Sequence, residues 1–372
     1  YGRCTTSNLT NSNTPNCAGK TAGTILSDNP LNRMNAFTPA ISRNFSYSLR
    51  GGGEKFGTYL SIGADKESGT LPSNEYGHIS GRASFDFFAS DKLRLELGFG
   101  LIRSATSLPH NDNDIYGYLG GGLLGDPRTL GGPKDGWYGT NRTTVAISSL
   151  ENSDRTLRIQ PRAAVNWTPV PWLTNRFNVG ADLQRSRLWT FYAKNDIGWF
   201  DSAPLNTGQI FEGRYVDDRY TIDYLGNVTG QLSETLRGDL SFGSQAIIRL
   251  TDQTTATGQG LVNNDVRTVS SASKLSSGGQ TNSQSRQIGF FAQSQLSWRD
   301  RLYVQMGARV DQGSTFGVDS EPFFSPKVGA SYVISEESYF QNLVPTELVS
   351  ALRLRAAFGM TGRTPTSGAR ST

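Results

Sequence analysis

The chain has 372 residues, of which only 36% are apolar although 10% are aromatic and 42 are glycine. Disordered chains share the low apolar fraction but are poor in aromatics, whereas a transmembrane barrel strand needs only about half its residues apolar. A formal net charge of +4, from 36 dispersed basic and 32 acidic residues, argues against a nucleic-acid partner; no run approaches the roughly 18 apolar residues of a spanning helix.

In chain order, Cys4 and Cys17 come first and are the only cysteines. They bracket a Ser/Thr/Asn-rich stretch, which reads as a disulfide-closed loop in an oxidising compartment, with two free thiols as the alternative. Residues 1–43 are thus expected to be a loop region leading into the strands. Alternation starts at Phe45-Tyr47-Leu49, turns at Gly51-Gly52-Gly53-Glu54, and resumes at Leu60-Ile62-Ala64 and Ala83-Phe85-Phe87. The clearest case follows: Leu93, Leu95, Leu97, Phe99 and Leu101 are separated by Arg94, Glu96, Gly98 and Gly100. A period of two puts these sets on opposite faces of a strand.

The pattern recurs at Leu157-Ile159, Ala163-Val165-Trp167, Phe177 to Leu183, Tyr220-Ile222-Tyr224 and Leu236-Leu240-Phe242. It continues at Ile288-Phe290-Ala292, Leu302 to Val310, Val328 to Ile334 and Leu352 to Phe358. These segments predict about twelve strands, most near the roughly 9–11 residues that cross a bilayer at a tilt. Ser90-Asp91, Pro169-Val170-Pro171, Ser233-Glu234 and Arg299-Asp300 read as tight turns. Between them lie long polar segments, roughly residues 104–154, 187–212 and 251–285, expected as loops. Short and long connections alternate, as in outer-membrane barrels with short periplasmic turns and long extracellular loops. Residues 335–350 break the rule on the periplasmic side and predict a helical turn there.

From Phe290 to Gly359 the order of motifs is specific. It holds Leu-Ser-Trp-Arg-Asp-Arg-Leu (Leu296 to Leu302), Ala-Arg-Val-Asp (Ala308 to Asp311), Ser314, Phe316-Gly317, and Ser325-Pro326-Lys327. Then come Ser331 to Glu337 and Leu352-Arg353-Leu354-Arg355-Ala356-Ala357-Phe358-Gly359. A second set comprises Asn29-Pro30-Leu31, Phe45 to Leu49, a Gly-Gly-Glu-Lys turn, Tyr59 to Gly63 and Glu67 to Thr70. In these residues, covering most strands but not the long loops, the chain resembles the SusC/RagA family of TonB-dependent transporters.

The resemblance implies an all-β fold: an antiparallel transmembrane β-barrel of the bacterial outer membrane, of which this chain supplies about 12 of about 22 strands around a plugged lumen. Residues 44–360 would be barrel wall and 361–372 a truncated loop. The signal peptide, the plug and the TonB-contacting segment have no counterpart in the chain, which reads as a section cut at both ends. A SusD-like surface lipoprotein and the TonB–ExbB–ExbD complex are the implied partners, outer-membrane lipid the surroundings, and oligosaccharides or peptides the imported cargo. No cofactor is implied.

No catalytic constellation stands out, so an enzyme is not expected. His78 and His110, the only histidines, have no ligand-spaced companion. Asn111-Asp112-Asn113-Asp114 lacks the glycine and distal glutamate of a calcium loop. Gly51-Gly52-Gly53 and Gly120-Gly121-Gly122 lack the following Lys-Ser/Thr of a phosphate loop. Aromatics in the expected extracellular loops, Trp137, Tyr138, Tyr192, Trp199 and Phe200, are candidates for stacking on a sugar or anchoring a partner. Loop self-packing or an interfacial girdle is the plainer alternative, strongest for Trp189, Trp167 and Trp172. Arg94, Glu96, Asp182, Arg309, Arg353 and Arg355 fall on the polar face, where they would pair across strands or line a path. Two rivals remain: a siderophore or cobalamin receptor, and a secreted all-β adhesin or carbohydrate-binding module. The last would bury the Leu93 to Phe99 stripe in a core.

Overall fold

Alternating strands need partners, and here each finds them in its sequence neighbours. The computed structural model describes residues 1–33, 35, 37–110, 117–138, 150–195, 198, 200, 203–315, 321–345 and 348–362. Two short strands, β1 (Gly2–Arg3) and β2 (Ile25–Leu26), pair with each other. Twelve longer strands follow: β3 (Ile41–Gly52), β4 (Phe56–Ser68), β5 (Glu75–Ser90), β6 (Leu93–Leu108), β7 (Leu150–Val170) and β8 (Leu173–Tyr192). The series continues with β9 (Gln209–Ser233), β10 (Leu236–Leu261), β11 (Ala272–Trp298), β12 (Leu302–Gly313), β13 (Phe323–Val333) and β14 (Arg353–Gly359). They form one antiparallel sheet in sequence order, open, with β3 and β14 at its edges.

Register carries the apolar stripe from strand to strand. Leu49 faces Leu60, Leu60 faces Ala83, Ala83 faces Phe99, and Leu97 faces Ala163. Val179 faces Ile222, Ile222 faces Ala246, and Ala246 faces Ile288. A one-residue slip in any pair would send its stripe to the other face, so the alternation fixes the pairing. This face is not a core: Leu97 is 54% exposed, Phe99 47% and Leu101 38%. A secreted sandwich would bury these side chains; lipid contact is the condition under which so wide an apolar surface is stable.

The tight turns fall where glycine, proline and aspartate punctuate the sequence. At the β11–β12 turn both Arg299 (φ 50°) and Asp300 (φ 54°) are left-handed, the backbone that lets a short hairpin follow the strand twist. The Arg299 guanidinium lies over the Trp298 ring, 4.8 Å from its centroid, which fixes the turn against the sheet. Between β13 and β14 a short helix (Ser338–Gln341) occupies the longer connection.

The opposite end departs from expectation. Residues 251–285 are not a loop: β10 and β11 stay paired from Thr251↔Ser283 up to Leu261↔Ala272. Here Thr, Gln, Ser and Gly occupy both faces, so strand exists without an apolar period to announce it. Strands also run to Leu108 and from Leu150, and to Tyr192 and from Gln209, shortening the other two loops at both ends. Trp189 and Tyr192 thus stand on β8 rather than in a loop.

Candidate functional site

The inner face of the sheet is built from charges that neutralise one another across strands. Asp86 on β5 holds Arg94 on β6 (3.1 Å); Glu96 beside it receives Arg176 from β8 (3.1 Å) and the Asn166 amide from β7 (2.8 Å). Arg158 pairs with Asp182, and Arg249 with Asp217 (2.7 Å). Gln245 donates to Asp223 (2.9 Å) and accepts from Arg309, which also grips Asp311 (2.8 Å). The arginine side chains involved stay about a third or more exposed, so each bridge stabilises by less than about 1 kcal/mol. Their main consequence is a wall that is polar yet largely neutral. Of the charges assigned to this face from the sequence, Arg94, Glu96, Asp182 and Arg309 are paired. Arg353 and Arg355, on edge strand β14, make no ion pair among the described residues.

Glycines make room for these side chains to lie flat. A Cβ on Gly98 would sit 2.3 Å from Arg162 Nε, and one on Gly289 would sit 2.3 Å from an Asp311 carboxylate oxygen. Above this floor is a groove of about 500 Å³ lined by Arg82, Gln160, Arg162, Asp182, Arg219 and Thr221. Arg82, Arg162 and Arg219 make no ion pair among the described residues, leaving the groove cationic. It can attract carboxylate-bearing chains or the carbonyl and hydroxyl oxygens of a polar solute.

Beyond the strands, residues 1–33 pack against residues 118–137. Cys4 and Cys17 are bonded (Cα–Cα 5.7 Å) and wholly buried with Leu26. The Asn16 amide donates to the Pro127 carbonyl (2.8 Å), and Arg33 bridges Asp28 (3.1 Å) and Asp135 (2.9 Å). Burial works to raise the Asp126 carboxyl, but hydrogen bonds and charge from Arg128 outweigh it and hold that carboxyl below the usual range. Burial pushes the Tyr118 phenol up.

The candidate aromatic contacts separate by burial. Trp137 is 1% exposed, edge-on to Tyr118 and packed on Leu31. Phe200 is 3% exposed, edge-on to Tyr192. In this conformation both rings are packed inward rather than presented to solvent. Tyr138 is 48% exposed, and the Tyr192 hydroxyl meets His110 Nε2 at 2.7 Å. Trp199 and the Asn111 to Asp114 run lie outside the described residues. Trp167 and Trp172 are exposed at the short-turn end, 50% and 54%, as an interfacial girdle requires. His78 sits on the inner face with Asp65 (3.0 Å) and stacks on Tyr76. Among the described residues no three His, Cys, Asp or Glu side chains gather as a metal site.

Sequence reasoning missed the arginines Arg185, Arg187 and Arg214. The first two continue the parity of Leu183 and so face outward above the apolar stripe; extending the period of two by one turn of the pleat would have found them.

Residues 98–372 match the family described as TonB dependent receptor-like, beta-barrel. TonB-dependent receptor P26 of Formosa agariphila is 33% identical over 73 residues, 20% of this chain and 7% of that protein. Among solved structures, the RagAB peptide transporter aligns over 89% of this chain and 38% of its own, with a TM-score of 0.71 at 18% identity. The RagAB peptide importer in its open-open state gives a TM-score of 0.70 at 17% identity, over 88% of this chain and 37% of that one. The chain thus spans well under half the length of these relatives. At these identities the structural likeness establishes the fold.

Proposed function

The chain belongs to the TonB-dependent receptor-like β-barrel family of the outer membrane, and from that premise we propose that it forms wall and extracellular loops of a SusC-like, energy-coupled nutrient importer. The observation that carries this reading is the division of the sheet. One face is apolar and exposed through every spanning strand, while the other is a polar wall of paired charges with a cationic groove. A lumen that must pass a hydrophilic solute without holding it needs such a surface: wet, and largely charge-compensated.

Oligosaccharides or peptides are the cargo this surface suits. Solute would be captured at the extracellular end and pass down the lumen when TonB displaces a plug. A SusD-like lipoprotein would seat over the lobe built by residues 1–33 and 118–137, with Tyr138 an accessible aromatic there.

Uptake in the source bacterium tests this. Deleting the full-length gene should abolish accumulation of one labelled class, peptide or oligosaccharide, and inactivating TonB should have the same effect. Uptake of both classes that survives either deletion would contradict the proposal.

A further inference from the structure

The apolar outward face ends at a sharp chemical boundary. Along β3 to β8 the outward stripe carries no Lys, Arg, Asp or Glu; on β9 Asp218 interrupts it, opposite Leu183 and Leu250. One pleat beyond it, towards the long-loop end, the next outward residue is basic in six strands: Arg43, Lys66, Arg103, Arg155, Arg185 and Arg286. The short-turn boundary is different. Trp167, Trp172 and Trp298 stand there, with no outward strand Lys or Arg among the described residues. Generic snorkelling would place basic residues at both boundaries; on outward strand positions this chain places them at one, and at the short-turn end Arg299, over Trp298, belongs to the turn.

The basic residues converge on β6 to β9. Arg103, Arg155, Arg185, Arg187 and Arg214 line one open groove of about 630 Å³, with Leu157 and Val216 between them. Arg155 is directly opposite Arg187, and Arg187 directly opposite Arg214. Like charges so placed, on strands about 4.8 Å apart, repel unless an anion lies between them. The protein supplies part of that compensation: Asp218 pairs with Arg185, and Glu212 with both Arg187 (3.1 Å) and Arg214 (2.8 Å). Arg103 and Arg155 make no ion pair among the described residues. Glu75 and Glu151 lie further towards the loop end, and Glu151 is engaged by Arg267 (2.8 Å). Five cations against two carboxylates leave a net charge of three in the groove.

We infer that this groove binds the phosphate groups of a lipid in the outer leaflet of the outer membrane. Its depth, one pleat above the apolar stripe, is that of the headgroups. The forked guanidinium matches phosphate oxygens in pairs. Leu157 and Val216 continue the apolar stripe between the arginines, so the same lipid's chains can run down the wall below its phosphates. A free anion would use the cations but not this continuity. The inference rests on outer-membrane placement and is independent of cargo.

Native mass spectrometry of the full-length receptor tests it, with three probes: a bis-phosphorylated glycolipid, the same lipid stripped of phosphate, and inorganic phosphate. Wild-type receptor should retain the phosphorylated lipid. The double variant Arg103→Gln/Arg155→Gln, which orphans no carboxylate, should bind it about 30-fold more weakly. A double variant of the inner face, Arg82→Gln/Arg162→Gln, should bind as wild type. Heat-modifiable migration on gels would establish that each variant is a folded barrel, which separates loss of the site from loss of membrane placement. Equal retention of both lipids, equal loss in the inner-face variant, or full displacement by millimolar inorganic phosphate would each overturn the inference.

Discussion

Placing a charge in the middle of the outward stripe distinguishes a lipid-facing wall from a solvent-facing sheet. Leu97 is the middle of the outward residues Leu93 to Leu101 and lies between Phe85 and Ala163 in register. It lies four residue steps from either end of the stripe. At roughly 3.3 Å per residue and a tilt of about 40°, that places it about 10 Å from each edge, near the bilayer midplane. Leu97→Arg should then cost about 2–4 kcal/mol, roughly a 30- to 1,000-fold fall in the folded-to-unfolded equilibrium constant. Leu101→Arg, at the boundary beside Arg103, should cost about 0–1 kcal/mol. Denaturant titration of full-length receptor folded into lipid vesicles gives both values from the shift in midpoint. On a solvated sheet, a leucine already 54% exposed would accept arginine within about 0.5 kcal/mol. A null effect at Leu97, or equal effects at the two positions, would refute the lipid-facing assignment.

Other consequences can be measured on the same material. Gly243→Ala would put a Cβ 2.1 Å from the Tyr224 carbonyl oxygen, a backbone atom, and should destabilise the barrel by about 1–3 kcal/mol; Gly230→Ala, with open space around it, should be near neutral by the same titration. Cys17→Ser opens a loop of sequence separation 13 and should cost the extracellular lobe about 3 kcal/mol, seen as faster proteolysis of residues 1–33 with the barrel transition unmoved. The Asp126 carboxyl is depressed, so its stabilising share is complete above the ordinary carboxylate value of about 3.9 and is lost as pH falls through the lower folded value. Packing of residues 118–137 on residues 1–33 should therefore loosen below about pH 4 and be flat from pH 5 to 8, read from Trp137 fluorescence.

The wall was legible because lipid and lumen impose opposite chemistry on alternate residues. Leu93 to Leu101, Phe177 to Leu183 and Leu302 to Val310 could be assigned to strands, and their outward sides fixed, from period alone. The upper parts of β10 and β11 were not, since Thr251 to Thr257 carries polar residues on both faces and ladder hydrogen bonds leave no trace in side-chain pattern. The extracellular lobe was hidden for another reason. Its closure joins Asn16 to Pro127 and Arg33 to Asp135, contacts more than 100 residues apart with no local signature. An aromatic in a polar loop reads the same whether it is presented, as Tyr138 is, or packed inward, as Trp137 is. The outward arginines were within reach of the sequence, since Arg185 and Arg187 keep the parity of Leu183.

The membrane-spanning wall itself is tested most directly by accessibility of nitroxides placed singly at Glu96 and Leu97 in the full-length receptor in outer membranes. Oxygen partitions into lipid, whereas a nickel chelate stays in water. The expected result is oxygen-dominated relaxation at Leu97 and nickel-dominated relaxation at Glu96, with the alternation persisting through Leu101 and ending at Arg103. Nickel access at both positions, or the reverse order, would show that the stripe does not face lipid.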